Sequence, residues 1–199
     1  MRLFVALDID DAIRRGIARY VEGIREFAPE ARWVKQESLH VTLKFIGEQP
    51  DTAVKQIQDA LTSVVAPQSE INFGEYGFFP TAKGARVFWI GIEAQPELAP
   101  LAAAIDEKLM TLGIPKEERE FSPHLTLARL PGRSGSPRWR KEDHPTPTFQ
   151  GLQQQLAKLP APQFGSMIVR EFFLYESQLS PKGSTYTKLA RFSLGIQEA

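Results

Sequence analysis

Apolar and polar residues follow each other along this chain in patterns that predict both strands and helices. Short apolar runs and strict alternation are typical of strands with one or two buried faces. These patterns occur at residues 3–9, 39–47, 71–79, 87–92, 121–129, 168–175 and 186–194. With three or four predicted helices among roughly six to eight strands, we expect an α+β fold with a largely antiparallel sheet.

Helical spacing of apolar residues separates several of these strands. Asp10 or Asp11 can cap the first helix, Asp51 opens the second, and Gly113 and Pro115 close the third. Their apolar positions are Ile13, Ile17, Val21, Ile24 and Phe27; Val54, Ile57, Leu61 and Val64; and Leu98, Leu101, Ile105, Leu109 and Leu112. A fourth, short helix is expected within residues 149–159.

A His-x-Thr motif occurs twice, and the elements around it recur with it. The motif histidines, His40 and His124, are 84 residues apart (124 − 40). The same offset carries Leu3 of the first strand onto Val87. This repetition predicts a duplicated strand–helix–strand unit, at about residues 3–47 and 87–131. We therefore expect one pseudo-symmetric, two-lobed domain with a sheet in each lobe, helices on the outer faces and a cleft between the lobes.

Composition narrows the class of protein. With 199 residues, 42% hydrophobic and 24% charged, the chain is typical of a soluble globular domain. Equal numbers of basic and acidic residues (24 each) argue against a protein that coats long nucleic acids. The chain has no cysteine, which excludes disulfides and suits the cytoplasm, and the N-terminal apolar run is too short for a signal peptide or membrane span. Only three histidines are present, so a multi-histidine metal centre is hard to build. We expect no metal and no cofactor.

The motif residues have the chemistry of an acid–base pair. Alternation places His40 and Thr42 on one face of a strand, about 7 Å apart, and His124 and Thr126 likewise. A neutral imidazole can accept a proton from water, and a protonated one can donate a proton to a leaving ribose oxygen. The threonine hydroxyls can donate hydrogen bonds to the non-bridging oxygens of a phosphodiester. One such motif alone is weak, but a matched pair favours a metal-independent phosphodiesterase.

At these residues the chain resembles the two-histidine (2H) phosphoesterases, and within them the RNA 2′,3′-cyclic phosphodiesterases, also called 2′-5′ RNA ligases. The resemblance spans nearly the whole chain and rests on residues 2–7, 37–47, 77–80, 86–91, 121–129, 174–177 and 183–186.

The resemblance implies hydrolysis of an RNA or nucleoside 2′,3′-cyclic phosphate to a 2′-phosphomonoester. It implies that His40 is the proton donor and His124 the acceptor, roles that the near-symmetric motifs alone leave open. It also implies a reverse, ATP-independent 2′-5′ ligation of RNA. The expected partners are RNA ends or nucleotides with a cyclic phosphate; no membrane and no obligate protein partner are expected, and the chain is expected to be a monomer.

Further residues are candidates for substrate binding. Lys44 shares the face of His40 if alternation continues. Arg129 falls on the face opposite His124 unless the strand bulges. Tyr186 can contact a ribose or a base. Phe78, Phe79, Trp89 and Trp139 are candidates to stack a base. The basic segment at about 131–147, which includes His144, is expected to be a loop that is either a surface feature or a contact for RNA.

Two alternatives remain open on sequence grounds. The same fold can hydrolyse a 2′-5′ oligonucleotide or another cyclic nucleotide. A non-catalytic nucleotide- or RNA-binding module is disfavoured, because both histidines and both threonines are intact.

Overall fold

The computed structural model describes residues 1–131, 147–180 and 183–195. Most of the basic segment, residues 132–146 with Trp139 and His144, lies outside the described residues, and so do residues 181–182 and 196–199.

The described residues form nine strands and four α-helices. The strands are β1 (Arg2–Leu7), β2 (Arg32–Trp33), β3 (Val41–Glu48), β4 (Ser69–Phe79), β5 (Val87–Gln95), β6 (His124–Arg129), β7 (Gln163–Val169), β8 (Glu171–Ser180) and β9 (Gly183–Ser193). The helices are α1 (Asp11–Ile24), α2 (Val54–Thr62), α3 (Ala99–Met110) and α4 (Gln150–Leu156). The predicted helices are confirmed. The sequence missed β2, which has only two residues, and most of β7, whose side chains are largely accessible and form no apolar run.

The strands form one antiparallel sheet in the order β7-β4-β5-β6-β3-β1-β8-β9, with β2 paired to β6. The antiparallel arrangement is confirmed, but the two lobes do not have separate sheets. Strands β3 and β6 join the halves through the pairing of Val41 with Leu125. On each side of this join the order is mirrored, so the two motif strands lie at the pseudo-symmetric centre.

The two faces of the sheet carry different side chains. Leu3, Val5 and Leu7 of β1 are buried in one large core with the apolar faces of α1 and α3. Phe4 and Ala6, which alternate with them, belong to a separate small cluster with Phe173 and Tyr175. We call the side with this second cluster the open face, because the helices cover the other one.

Among the described residues, no helix combines the length and apolar character needed to cross a membrane.

Candidate active site

The two His-x-Thr motifs lie side by side on the central strands. Val41 and Leu125, the middle residues of the motifs, are fully buried and paired with each other. Alternation then turns Thr42 and Thr126 to the open face, where both are half-buried. The predicted face of the motif residues is therefore what the structure has.

Each motif histidine is held in the same way. Nδ1 of His40 lies 2.8 Å from the carbonyl oxygen of Ser38, and Nδ1 of His124 lies 2.8 Å from that of Ser122. A carbonyl oxygen only accepts hydrogen bonds, so Nδ1 carries the proton in both neutral rings. Nε2 is then the basic nitrogen of each ring and the atom available for proton transfer.

Aromatic rings surround both imidazoles. The ring of His40 lies 4.9 Å from Phe4 and 5.0 Å from Tyr186, the latter edge to face. The ring of His124 lies 5.0 Å from Phe79 and 6.3 Å from Trp89. These contacts hold the rings and exclude water from one side of each, which lowers the local dielectric.

Of the predicted aromatic candidates, Phe79, Trp89 and Tyr186 are thus at the site. Phe78 is not, because its ring stacks on Phe88 on the helix side of the sheet, 5.1 Å away. Glycine at position 77 makes room for the indole of Trp89, since a Cβ there would overlap it.

The environment favours the neutral form of both histidines. Burial lowers the pKa of His40 to about 4, and the nearby positive charges of Arg129, His124 and Arg14 act in the same direction. Burial also lowers the pKa of His124, and Arg129 adds to this effect. Both histidines are therefore neutral near neutral pH in the free protein. An anionic ligand would favour the protonated form, because it offsets the positive charges that surround the rings.

A β-bulge brings Arg129 to the same face as the motif residues. Phe88 pairs with Ala128 but Trp89 pairs with Thr126, so Leu127 is the extra residue in β6. The bulge reverses the alternation after Leu127 and turns Arg129 towards the open face. Its Nη2 lies 3.5 Å from Oγ1 of Thr126, and its charge acts on both histidines.

The matching bulge in β3 makes the prediction for Lys44 wrong. Val5 pairs with Lys44 but Ala6 pairs with Thr42, so Leu43 is the extra residue. Lys44 therefore points away from His40 and is only 5% exposed. Its Nζ lies 2.5 Å from Oδ1 of Asp106 and donates to the carbonyl of Pro115 at 2.7 Å.

A pocket with a volume of about 570 Å³ lies beside His40. Its lining includes Asp8, Arg14, Ser38, Tyr175, Tyr186 and Lys188. Sequence reasoning did not single out Asp8, Arg14, Tyr175 or Lys188. Periodicity carries no signal for them, because they come from the loop after β1, from α1, from β8 and from β9, which only the fold brings together.

The described residues contain no group of three or more His, Asp or Glu side chains that could hold a metal ion.

A family model and several relatives of known name agree on the family to which this chain is similar. A family model described as the 2′-5′ RNA ligase superfamily matches residues 10–139. A relative from Archaeoglobus fulgidus, named RNA 2′,3′-cyclic phosphodiesterase, is 34% identical over 192 residues, which are 96% of this chain and 99% of the relative. A relative of the same name from Methanothermobacter thermautotrophicus is 29% identical and covers 98% of this chain and 99% of its own.

Solved structures share the fold over the whole length. The crystal structure of TT0787 of Thermus thermophilus matches with a TM-score of 0.76 at 27% identity and covers 100% of both chains. The structure of E. coli LigT complexed with 3′-AMP matches with a TM-score of 0.74 at 27% identity and covers 97% of both chains.

Proposed function

Because this chain belongs to the 2′-5′ RNA ligase superfamily, we propose that it is an RNA 2′,3′-cyclic phosphodiesterase that releases a 2′-phosphomonoester. The observation that carries the proposal is the pair of identically anchored imidazoles on adjacent strands, with the guanidinium of Arg129 acting on both. Near full-length relatives carry the corresponding name. A protein of the same fold was solved with 3′-AMP, a nucleotide with phosphate at the ribose edge.

In the proposed reaction, Nε2 of His124 accepts a proton from water while the water oxygen bonds to phosphorus. The bond between phosphorus and the 3′ oxygen breaks, and Nε2 of His40 donates a proton to that oxygen. Both nitrogens are left for this task because each Nδ1 is held by a carbonyl. The substrate phosphate supplies the negative charge that favours a protonated His40.

The non-bridging oxygens gain charge as the reaction proceeds, and the proposed donors to them are Thr42, Thr126 and Arg129. Arg129 suits this role because its side chain lies over Thr126 and cannot lose its charge near neutral pH. We assign Tyr186 to contact with the nucleoside, since its ring lies against His40 and lines the adjoining pocket.

The same step can also join RNA ends if a 5′-hydroxyl replaces water: the 5′ oxygen bonds to phosphorus, the 3′ oxygen leaves with the proton from His40, and a 2′-5′ linkage forms without ATP. We propose that the chain works as a monomeric, single two-lobed domain in the cytoplasm, without a metal or cofactor. The absence of cysteine and the zero net charge favour this setting and a substrate contacted locally at its end.

The product identifies the reaction. With EDTA present, the protein is expected to convert a 2′,3′-cyclic mononucleotide to the 2′-phosphate alone, as read by phosphorus NMR. Formation of the 3′-phosphate would contradict the assignment of the leaving oxygen. Turnover of a 2′-5′ dinucleotide or a 3′,5′-cyclic nucleotide in preference would favour another reaction on the same fold. Nucleotide binding without turnover would favour a binding module.

We expect kcat/KM to fall about tenfold for each pH unit above about pH 6.5. The active form of the free enzyme has His40 protonated and His124 neutral. Both pKa values are lowered from 6.5, to about 4 for His40. Above pH 6.5, His124 is already neutral, so a further rise only removes the proton from His40. Initial rates at substrate concentrations well below KM, between about pH 5.5 and 8.5, measure this slope; a flat profile above pH 7 would contradict it.

A further inference from the structure

The loop before the first motif is held by one side chain, Arg14 of α1. Its Nη1 donates to the carbonyl of Gln36 at 2.6 Å and to that of Leu39 at 3.3 Å. These two carbonyls flank Ser38, whose own carbonyl anchors Nδ1 of His40. The guanidinium thus fixes the short stretch of backbone on which the orientation of the imidazole depends.

The other side of the guanidinium is fixed as well. Its Nη2 donates to Oδ1 of Asp8 at 2.6 Å and to the carbonyl of Ile9 at 3.3 Å, just after β1 ends. The second carboxylate oxygen of Asp8 accepts a hydrogen bond from Lys188 of β9 at 2.5 Å. The side chain of Arg14 is only 12% exposed and that of Asp8 is 35% exposed, so this ion pair is screened less than one on the open surface. A planar guanidinium can serve several acceptors in fixed directions, which a lysine ammonium cannot do from the same position.

Within the part of the chain that the structure describes, the second motif has no such support. The duplication places either Glu97 or Leu98, just after β5, at the position equivalent to Arg14. Glu97 is equivalent if Ala6 is matched to Trp89, since these residues pair with the two motif threonines and are 83 apart (89 − 6). Leu98 is equivalent if the motif histidines are matched, since they are 84 apart (124 − 40). Glu97 is exposed and Leu98 is buried among apolar side chains. Both imidazoles have the same carbonyl anchor, but among the described residues only the loop that anchors His40 is braced by a cation.

We propose that Arg14 is a positioning residue that orients His40 through the Ser38 carbonyl, with Asp8 orienting Arg14 in turn. The effect on catalysis rests on the proposed function, in which His40 donates a proton to the leaving oxygen. That donation needs Nε2 to point at the substrate, and Nε2 does so only while Nδ1 is held from behind. A displacement of about 1 Å in a catalytic group can cost about 10²-fold in rate.

The test compares Arg14→Met with Arg15→Met, the same change one position along on the exposed side of α1. With a 2′,3′-cyclic mononucleotide, Arg14→Met is expected to lower kcat by about 10- to 100-fold and to change KM by less than about threefold. Arg15→Met is expected to match the wild type, and Arg14→Lys and Asp8→Asn to lie in between.

A second readout does not depend on turnover. Only three histidines are present in the chain, so nitrogen NMR of the imidazole rings can follow each tautomer separately. In Arg14→Met, His40 is expected to lose its single Nδ1–H tautomer, while His124 keeps it. If the wild type hydrolyses no cyclic phosphate, the proposed function fails, but this spectrum still tests whether Arg14 orients His40. An unchanged His40 tautomer in Arg14→Met, or in Arg14→Lys if the methionine variant does not fold, would overturn the inference.

Discussion

Replacing either motif histidine with alanine is expected to lower kcat by about 10²- to 10⁴-fold. In the proposed reaction, His40→Ala removes the proton for the leaving oxygen, and His124→Ala removes the acceptor for the proton of water. Because the two act in one step, the double variant is expected to lose little more than the worse single variant. Hydrolysis of a 2′,3′-cyclic mononucleotide in EDTA measures each loss.

The pH profile of the residual activity assigns the roles. His40→Ala is expected to lose the alkaline fall in kcat/KM, since no acid remains to be deprotonated. His124→Ala is expected to keep it. His144→Ala is the matched control, because it is the same change at the remaining histidine. If either motif variant keeps activity within about threefold of the wild type, paired acid–base catalysis is excluded. If the alkaline limb persists in His40→Ala and disappears in His124→Ala, the two roles are exchanged.

Replacing Lys44 with methionine is expected to lower the free energy of unfolding by about 3–5 kcal/mol. The loss arises because Asp106 would remain as a buried carboxylate without its cation; the two side chains are 4% and 11% exposed. The double variant Lys44→Met/Asp106→Leu removes both charges and is expected to recover most of the stability. Urea denaturation of the wild type and of these two variants measures both effects.

Lys55→Met is the matched control for burial. Lys55 and Asp59 are also 2.5 Å apart, but their side chains are 77% and 62% exposed. This change is expected to cost less than about 1 kcal/mol, because water screens the pair and solvates the aspartate that is left behind. If Lys44→Met costs no more than Lys55→Met, burial does not decide the effect. A large rise in KM for Lys44→Met with unchanged stability would instead favour the substrate contact that the sequence predicted.

The sequence by itself determined the two motifs, whose histidines we propose as the catalytic pair. The duplicated His-x-Thr motif identifies His40 and His124, and strand alternation places Thr42 and Thr126 beside them. These inferences succeed because they depend on local geometry: side chains two apart on a strand share a face whatever surrounds them. The same local reasoning located the helices, whose apolar stripes have the period of 3.6 residues.

Only the tertiary structure decided which way the side chains after each motif point and which residues hold the motif histidines in place. The bulges at Leu43 and Leu127 arise from pairing with β1 and β5, which the motif strands themselves do not encode. They bury Lys44, which the sequence had assigned to substrate, and turn Arg129 to the site. The lowered pKa values of His40 and His124 follow from burial. The hydrogen bonds of Arg14 form because α1 packs against a loop that lies 22 residues further along the chain. Contacts and dielectric depend on distant parts of the chain, so no periodicity in the sequence reports them.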